Sequence, residues 1–84
     1  MADYGALVEY VARSLVSKPE DVRVSSSEAG DGTVKVLIDV DQSDIGRMIG
    51  RRGATINAIR QVVRAAAVKS GDRVDVDVLE DREG

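Results

Sequence analysis

The sequence predicts an α+β fold, a two-layer sandwich in which helices cover one face of a three-stranded sheet. Apolar residues recur every three or four positions in residues 4–15 and 56–67, the spacing of helices that bury one side. They alternate in residues 33–40 and 74–78, the spacing of half-buried strands. Glycine or proline separates these segments. The predicted order is therefore helix, strand, strand, helix, helix, strand, with each element burying its single apolar side.

The first helix carries one apolar stripe. Its members are Tyr4, Leu7, Val8, Val11, Ala12 and Leu15. Asp3 precedes the stripe, where a carboxylate accepts hydrogen bonds from the free N–H groups of a first turn, so Asp3 is the predicted N-cap. Pro19 disfavours helical backbone at the residue before it, so the helix is predicted to end after Lys18. Tyr4 and Tyr10 are predicted to be packing residues.

Two strands that form a hairpin follow. Residues 21–28 predict a strand that its serines weaken toward the far end, and the Gly-Asp-Gly sequence at 30–32 predicts the turn. Residues 33–40 predict the clearest strand of the chain because their apolar side chains alternate strictly. The side chains predicted to share one face are Val34, Val36, Ile38 and Val40. Those predicted to share the other are Lys35, Leu37 and Asp39.

The second half of the chain predicts two more helices. Ser43 is the predicted N-cap of a short helix over residues 44–49. A glycine-containing loop follows, and then a longer helix that continues to about Lys69. Its predicted core stripe is Ile56, Ile59, Val63, Ala66 and Ala67. Gly71 is the predicted left-handed cap at its end.

A last strand has Val74, Val76 and Val78 on its inner face. We expect one domain over residues 1–79 and a frayed acidic tail over 80–84. The carboxylates near this end are Asp72, Asp75, Asp77, Glu80 and Asp81. Because two of them alternate along the strand and no loop gathers the others, we interpret them as a solvated acidic face and expect no calcium or other metal site.

The composition excludes several kinds of function. The chain has 84 residues with no Cys and no His, which excludes disulfides, thiolate catalysis, zinc sites built on Cys or His, and histidine base catalysis. No acid–base pair or nucleophile motif is visible, so we expect no enzyme, no cofactor and no small-molecule substrate. Because there is no leader pattern and no 18-residue apolar run, we expect a cytoplasmic protein without a membrane span.

Positive charge is concentrated in one part of an acidic chain. Residues 44–69 contain six basic residues and one acid, a local net charge of +5, whereas the whole chain has a net charge of −3. The basic residues are Arg47, Arg51, Arg52, Arg60, Arg64 and Lys69. Ordinary solvated helix charge would also give such a count. A domain polarised in this way is able to bind a polyanion on one side and repel it on the other.

The most informative stretch is the loop Ile49-Gly50-Arg51-Arg52-Gly53 between the two helices. Its glycines lack side-chain bulk, so the backbone of a ligand strand is able to come close. Its arginines are permanently charged donors suited to phosphate oxygens. The helix that follows directs its free N–H groups and the positive end of its dipole toward the same place. The loop therefore predicts an anion site.

The stretch from Asp44 to Arg60, with its G-x-x-G loop between paired helices, resembles the signature of the KH domain. The element order resembles the type II topology of that domain, and the match continues through Ala67. The chain is similar over nearly its whole length to the small stand-alone KH proteins of bacteria, the KhpA-like family. Position between two helices, paired arginines and topology make this resemblance specific, whereas G-x-x-G alone is weak.

The resemblance implies a non-catalytic protein that binds about four nucleotides of single-stranded RNA, such as mRNA, small RNA or ribosomal RNA. It implies that Gly50 and Gly53 allow close approach and that Arg51 and Arg52 bind phosphate. The further residues expected in the interface are Arg47, Ile45, Met48, Ile56, Asn57 and Arg60. The strand containing Val36 and Ile38 is expected to complete the groove wall. Core packing is the alternative role for Met48, Ile56 and Ile38.

The runner-up interpretation is a KH-like protein-interaction module for which RNA is secondary. A second strip on the long helix, Ala54, Ala58, Val62 and Ala65, is either a dimer interface or a set of exposed helix formers. The resemblance implies both a homodimer and a heterodimer with a larger Jag-type protein that carries its own KH domain. Both loop arginines are present, which favours RNA binding over protein binding alone.

Overall fold

The computed structural model describes residues 3–80 and confirms the α+β fold with the predicted element order. The elements are α1 (Tyr4–Leu15), β1 (Arg23–Glu28), β2 (Val34–Asp39), α2 (Ile45–Ile49), α3 (Ala54–Ser70) and β3 (Val74–Val78). Single 3₁₀ turns lie at Pro19–Asp21, Gln42–Asp44 and Arg51–Gly53. The predicted tail beyond residue 80 lies outside the described residues.

The sheet has the order β1-β2-β3, with β1 and β2 antiparallel and β2 and β3 parallel. The predicted hairpin turn is present: the Ala29 N–H donates to the Thr33 carbonyl at 2.8 Å, and the Thr33 N–H donates to Asp31 Oδ1 at 2.9 Å. Parallel pairing of β2 with β3 is the consequence of the crossover through α2 and α3. It places β3 at an edge of the sheet, directly after α3 in the chain.

One face of the sheet is packed under the helices, and the other is open to solvent. The buried apolar residues are Tyr4, Val8, Ala12, Val22, Val36, Ile38, Val40, Met48, Ile56, Ile59, Val63, Ala67, Val74, Val76 and Val78. On the open face Lys35, Asp75 and Asp77 are exposed, as alternation predicts. The predicted core stripe of α3 is confirmed, with Ala66 partly buried at its margin.

Several predicted helix ends are confirmed. The Ala6 N–H donates to Asp3 Oδ1 at 3.0 Å, so Asp3 is the N-cap of α1. Gly71 ends α3 with φ 74°, the left-handed conformation that glycine adopts without a Cβ penalty. The Tyr4 hydroxyl donates to Asp72 Oδ2 at 2.6 Å, which joins the start of α1 to the turn before β3. Tyr4 is thus a packing residue, whereas the same prediction for Tyr10 was wrong because its side chain is exposed.

Two predicted ends were wrong, and both lie beside Asp44. Helix α1 ends at Leu15 and not at Lys18, because Val16 is extended and the next two N–H groups donate to the Asp44 carboxylate. Ser43 is not the N-cap of α2. That position is Asp44, and the Ser43 hydroxyl donates to Asp41 Oδ2 at 2.6 Å. A contact distant in sequence accompanies the end of α1, whereas a local contact engages Ser43.

Candidate nucleic-acid interface

The loop between α2 and α3 is a tight left-handed bend. Gly50 has φ 77°, Arg52 φ 57° and Gly53 φ 78°, and the Gly53 N–H donates to the Gly50 carbonyl at 3.1 Å. Glycine adopts positive φ at no steric cost, whereas arginine does so at a cost. Within the described chain Arg52 is the only non-glycine residue with positive φ. The two arginines are thus held at the outer turn of a bend that glycines begin and end.

Gly50 is required by the loop itself as well as by its backbone angle. A Cβ atom on residue 50 would lie 2.6 Å from the main-chain nitrogen of Thr55 and in closer contact with the Thr55 hydroxyl. At Gly53 the space is ordinary, since a Cβ atom would lie 3.6 Å from Asn57 Nδ2, so the positive φ is the reason for glycine there. The bend therefore packs directly against the first turn of α3.

The loop arginines are free to meet a ligand. Arg51 and Arg52 are exposed, and neither guanidinium forms a hydrogen bond or ion pair with any residue between 3 and 80. The N-cap of α3 is Gly53, which brings no side chain to the start of this 17-residue helix. The positive end of this helix dipole and two permanently charged side chains consequently meet at one place. This arrangement favours the binding of phosphate.

The neighbouring cations differ in how free they are. Arg47 is exposed, and its Nε lies 3.9 Å from Asp44 Oδ1, the outer limit of an ion pair. Asp44 itself is buried and accepts hydrogen bonds from Ser17 and Lys18, so the charged groups of residues 44–69 that lie at the surface are cations. The side chain of Arg64 is exposed one helical turn beyond Arg60. Positive charge therefore continues from the loop along α3.

Arg60, an expected interface residue, is engaged by other residues of the fold. Its Nε donates to the Val76 carbonyl at 2.8 Å, and its Nη1 donates to Asn57 Oδ1 at 2.9 Å. Its Nη2 lies 3.5 Å from Asp77 Oδ1. The guanidinium thus joins α3 to the exposed edge of β3. The sequence alone did not indicate these partners.

The structure divides the expected groove wall into surface and core residues. Met48 and Ile56 are buried, at 0% and 6% exposure, so they lie beneath the surface beside the loop. Ile45 is partly exposed and Asn57 is exposed, so both remain at the surface. In the strand expected to complete the wall, β2, the side chains of Val36 and Ile38 are buried. Strand β3 is the edge strand that directly follows α3.

A cleft of about 550 Å³ lies where α3 meets β3 and the open face of the sheet. It contains polar residues that the sequence analysis did not assign to a site. They include Ser25, Ser27, Lys35, Arg64, Asp75 and Asp77. The alternation of strand residues indicated which of these face solvent. It did not indicate that α3 brings Arg60 and Arg64 beside them.

The second strip of α3 is at the surface. Ala54, Ala58, Val62 and Ala65 are all exposed. Beside it an apolar groove of about 250 Å³ runs between α1 and α3. Its lining includes Leu7, Val11, Leu15, Ala58 and Val62. An exposed apolar groove of this kind is a feature of surfaces that bind another protein.

Two other expectations concern metals and membranes. Within residues 3–80 no three His, Cys, Asp or Glu side chains are arranged to bind a metal ion. The same part of the chain has no helix with the length and apolar character needed to span a membrane.

Comparison with known proteins gives one consistent result. The model of the KhpA/KhpB KH-domain family matches residues 5–78. The chain is 42% identical over 73 residues to the RNA-binding protein KhpA of Clostridium perfringens, covering 87% of this chain and 96% of that protein. It is 42% identical over 74 residues to KhpA of Halalkalibacterium halodurans, covering 88% and 96%. It is 39% identical over 83 residues to KhpA of Borreliella burgdorferi, covering 95% and 100%. With this match, a type II KH fold and the G-x-x-G loop between its paired helices, the chain belongs to the KhpA/KhpB KH-domain family.

Proposed function

We propose that this protein is a non-catalytic, cytoplasmic binder of single-stranded RNA. The observation that carries the proposal is the pair of exposed side chains of Arg51 and Arg52, without a partner among residues 3–80, on a left-handed bend at the start of α3. The relatives that it resembles carry the name RNA-binding protein. The loop of residues 50–53 binds the sugar–phosphate backbone, and about four nucleotides occupy the adjoining groove.

Each part of the interface has its own role in this proposal. Arg51 and Arg52 bind phosphates, and Arg47 adds charge beside them. Ile45 and Asn57 offer apolar and amide surface to the bases. Met48 and Ile56 support that surface from below, and Arg60 borders it at the edge of β3. Exposed aromatic platforms for base stacking are limited to Tyr10 within residues 3–80, so affinity comes mainly from phosphate contacts.

The test is the double variant Arg51→Asp with Arg52→Asp. Aspartate tolerates the left-handed backbone of residue 52, so the fold is retained while the charge of the loop is reversed. The matched control is Lys69→Asp with Arg73→Asp, which makes the same change in net charge in the last turn of α3 and in the segment after it. We expect the loop variant to lose binding to a single-stranded oligoribonucleotide and the control to keep most of it. Equal losses would reject the loop as the binding site.

We further propose that two KH domains act together, as a homodimer or with a larger Jag-type partner that carries its own KH domain. One domain that binds about four nucleotides is weak, and linkage raises the effective concentration of the second. The exposed strip on α3 and the apolar groove beside it support this surface as the contact. The targets we propose are mRNA, small RNA or ribosomal RNA.

The dimer surface is tested by Val62→Glu, which places a charge in the apolar groove. Val68→Glu is the matched control, because Val68 is more exposed on the same helix and does not line the groove. We expect Val62→Glu to give the sedimentation mass of a monomer and Val68→Glu to keep that of a dimer. If Val62→Glu remains dimeric, the contact lies elsewhere. If variants lose RNA binding only when they also lose the dimer, a protein-interaction module would be favoured as the primary function.

A further inference from the structure

Within residues 3–80, strand β3 has one edge without a partner strand. Its bonds to β2 come from alternate residues: the Val34 N–H donates to the Arg73 carbonyl, and the Leu79 N–H donates to the Ile38 carbonyl. The main-chain groups of the intervening residues, Val76 among them, therefore point away from β2 toward the open edge. An open strand edge is a row of donors and acceptors available to any ligand that brings matching groups.

Side chains occupy two of these edge groups. Arg60 Nε donates to the Val76 carbonyl at 2.8 Å, and the Val78 N–H donates to Asp77 Oδ1 at 2.9 Å. The two side chains also contact each other, with Arg60 Nη2 3.5 Å from Asp77 Oδ1. We call this arrangement the Arg60–Asp77 clasp. The clasp covers both the Val76 carbonyl, an acceptor, and the Val78 N–H, a donor, on the open edge of β3.

The clasp lies on the same side of α3 as the arginine loop. Gly53, Asn57 and Arg60 are spaced by four and three residues, which places them in one row along the helix. Asn57 links the two ends of the row: its amide lies against Gly53, and its Oδ1 accepts from Arg60 Nη1 at 2.9 Å. A strand that leaves the loop along α3 therefore reaches the clasp next.

We propose that the Arg60–Asp77 clasp closes the sheet side of the nucleotide groove in the free protein and opens when an unpaired nucleobase replaces it on the Val76 carbonyl and the Val78 N–H. The inference rests on the proposed binding of RNA at the loop and adds a selective element to it. A nucleobase carries donors and acceptors side by side on its edge, as the strand edge does. In a duplex the pairing edges are occupied, so the clasp favours single strands.

Breaking the ion pair of the clasp is inexpensive, and the bond from Arg60 to the Val76 carbonyl is exchanged for one from the nucleobase. The side chain of Asp77 is 71% exposed and that of Arg60 30% exposed, so water screens their attraction. Exposed ion pairs of this kind change an equilibrium by a factor of roughly two to five. The released guanidinium keeps its charge and remains able to bind a phosphate of the incoming strand.

The first test compares Asp77→Ala with Asp75→Ala. Both residues lie on β3 and point to the open face, and both substitutions remove one negative charge. They differ because the carboxylate of Asp75 makes no hydrogen bond with any described residue, whereas that of Asp77 belongs to the clasp. Removing either acid strengthens RNA binding through charge alone. We expect Asp77→Ala to strengthen binding of a single-stranded oligoribonucleotide by roughly a further two- to fivefold, because the variant loses the ion pair of the clasp and uncovers the Val78 N–H, while Arg60 keeps its bonds to Val76 and Asn57. Equal affinities for the two variants would overturn the clasp.

The second test follows the Arg60 Nε–H resonance of the unaltered protein by NMR while the same oligoribonucleotide is added. We expect this resonance and the Val78 amide to shift together with the loop residues. If the loop residues shift and Arg60 Nε–H does not, RNA binds but the clasp stays closed, and only this inference fails. If no loop residue shifts, the proposed function fails as well. A fully paired duplex of the same sequence is expected to leave Arg60 Nε–H unchanged, and a shift there would contradict the selection for unpaired bases.

Discussion

The carboxylate of Asp44 accepts hydrogen bonds from both the N–H and the hydroxyl of Ser17, at 3.0 and 2.9 Å, across 27 positions of the chain. The N–H of Lys18 donates to the other carboxylate oxygen at 3.2 Å. Asp44 is buried, and each of these donors satisfies part of its charge. The contact ties the segment after α1 to the start of α2, the helix that leads into the arginine loop.

We expect Asp44→Ala to destabilise the fold more than Ser17→Ala. Removing the Ser17 hydroxyl deletes one donor that both carboxylate oxygens share and costs about 1 kcal/mol, because both main-chain donors keep their acceptor. Removing the carboxylate leaves the partly buried N–H groups of Ser17 and Lys18 without their hydrogen-bond acceptor. Thermal unfolding followed by circular dichroism measures both, with a shift of several degrees expected for Asp44→Ala. Equal shifts in unfolding temperature for the two variants would mean that water replaces the carboxylate as acceptor for the two N–H groups at no cost in stability.

Acid should destabilise the protein through the same carboxylate. The N–H of Ser17 is the main cause that lowers the pKa of Asp44 below its ordinary value of 3.8, although burial acts in the opposite direction. The folded state therefore binds this proton less readily than the unfolded state. The stability from Asp44 is complete above the unfolded pKa of about 3.8 and is lost as the pH falls through the lower folded value.

The dependence of the free energy of unfolding on pH is measured by urea unfolding between pH 2 and pH 6, at intervals of roughly one pH unit. Hydrogen bonds from nearby residues also lower the pKa of Asp31 and Asp41, so the unaltered protein has several contributors. We expect Asp44→Asn to flatten part of the acid dependence and to leave the remainder. A variant with the full acid dependence would show that Asp44 does not contribute to it.

The periodicity of apolar residues was sufficient to predict the order of elements and most of the core. It failed where a distant residue decides the local structure. The end of α1 at Leu15 depends on the position of Asp44 in space, which no local pattern contains. Tyr10 lies just outside the apolar stripe of α1, and its exposure follows from that position more than from its residue type.

The candidate site shows the same division. The bend with Arg51 and Arg52 was predictable because glycine spacing and charge are local properties. The engagement of Arg60 was not, because it depends on which strand borders α3. The crossover from β2 to β3 indicates in principle a parallel edge strand beside that helix. Burial of Met48 depends on the rotation of the five-residue helix α2, which its short sequence does not determine.

Gly50→Ala should destabilise the fold, whereas Gly46→Ala should not. A methyl group at residue 50 would meet the main chain and hydroxyl of Thr55 while φ is 77°, and a strained backbone of this kind costs about 1–3 kcal/mol. At Gly46, inside α2, a Cβ atom meets nothing within 4 Å, and alanine favours the helix by about 0.5–1 kcal/mol. Chemical denaturation measures both changes. A neutral Gly50→Ala would show that the bend adapts without loss, and the close packing on Thr55 would then not be a constraint.

Arg52→Gly should move stability and affinity in opposite directions. Arg52 has φ 57° and ψ 29°, a conformation that disfavours residues with a Cβ, so glycine should raise the free energy of unfolding by up to about 1 kcal/mol. The same change removes one phosphate contact and should make the dependence of log affinity on log salt shallower by about 0.7.

Arg51→Gly is the control for the backbone, because Arg51 does not have positive φ: it should lose a similar part of the salt dependence without gaining stability. Denaturation and RNA titrations at several salt concentrations test both variants. If Arg52→Gly loses stability, the side chain of Arg52 supports the fold. If it gains stability and loses affinity, folding alone would favour glycine at this position, and the requirement for arginine there comes from the ligand.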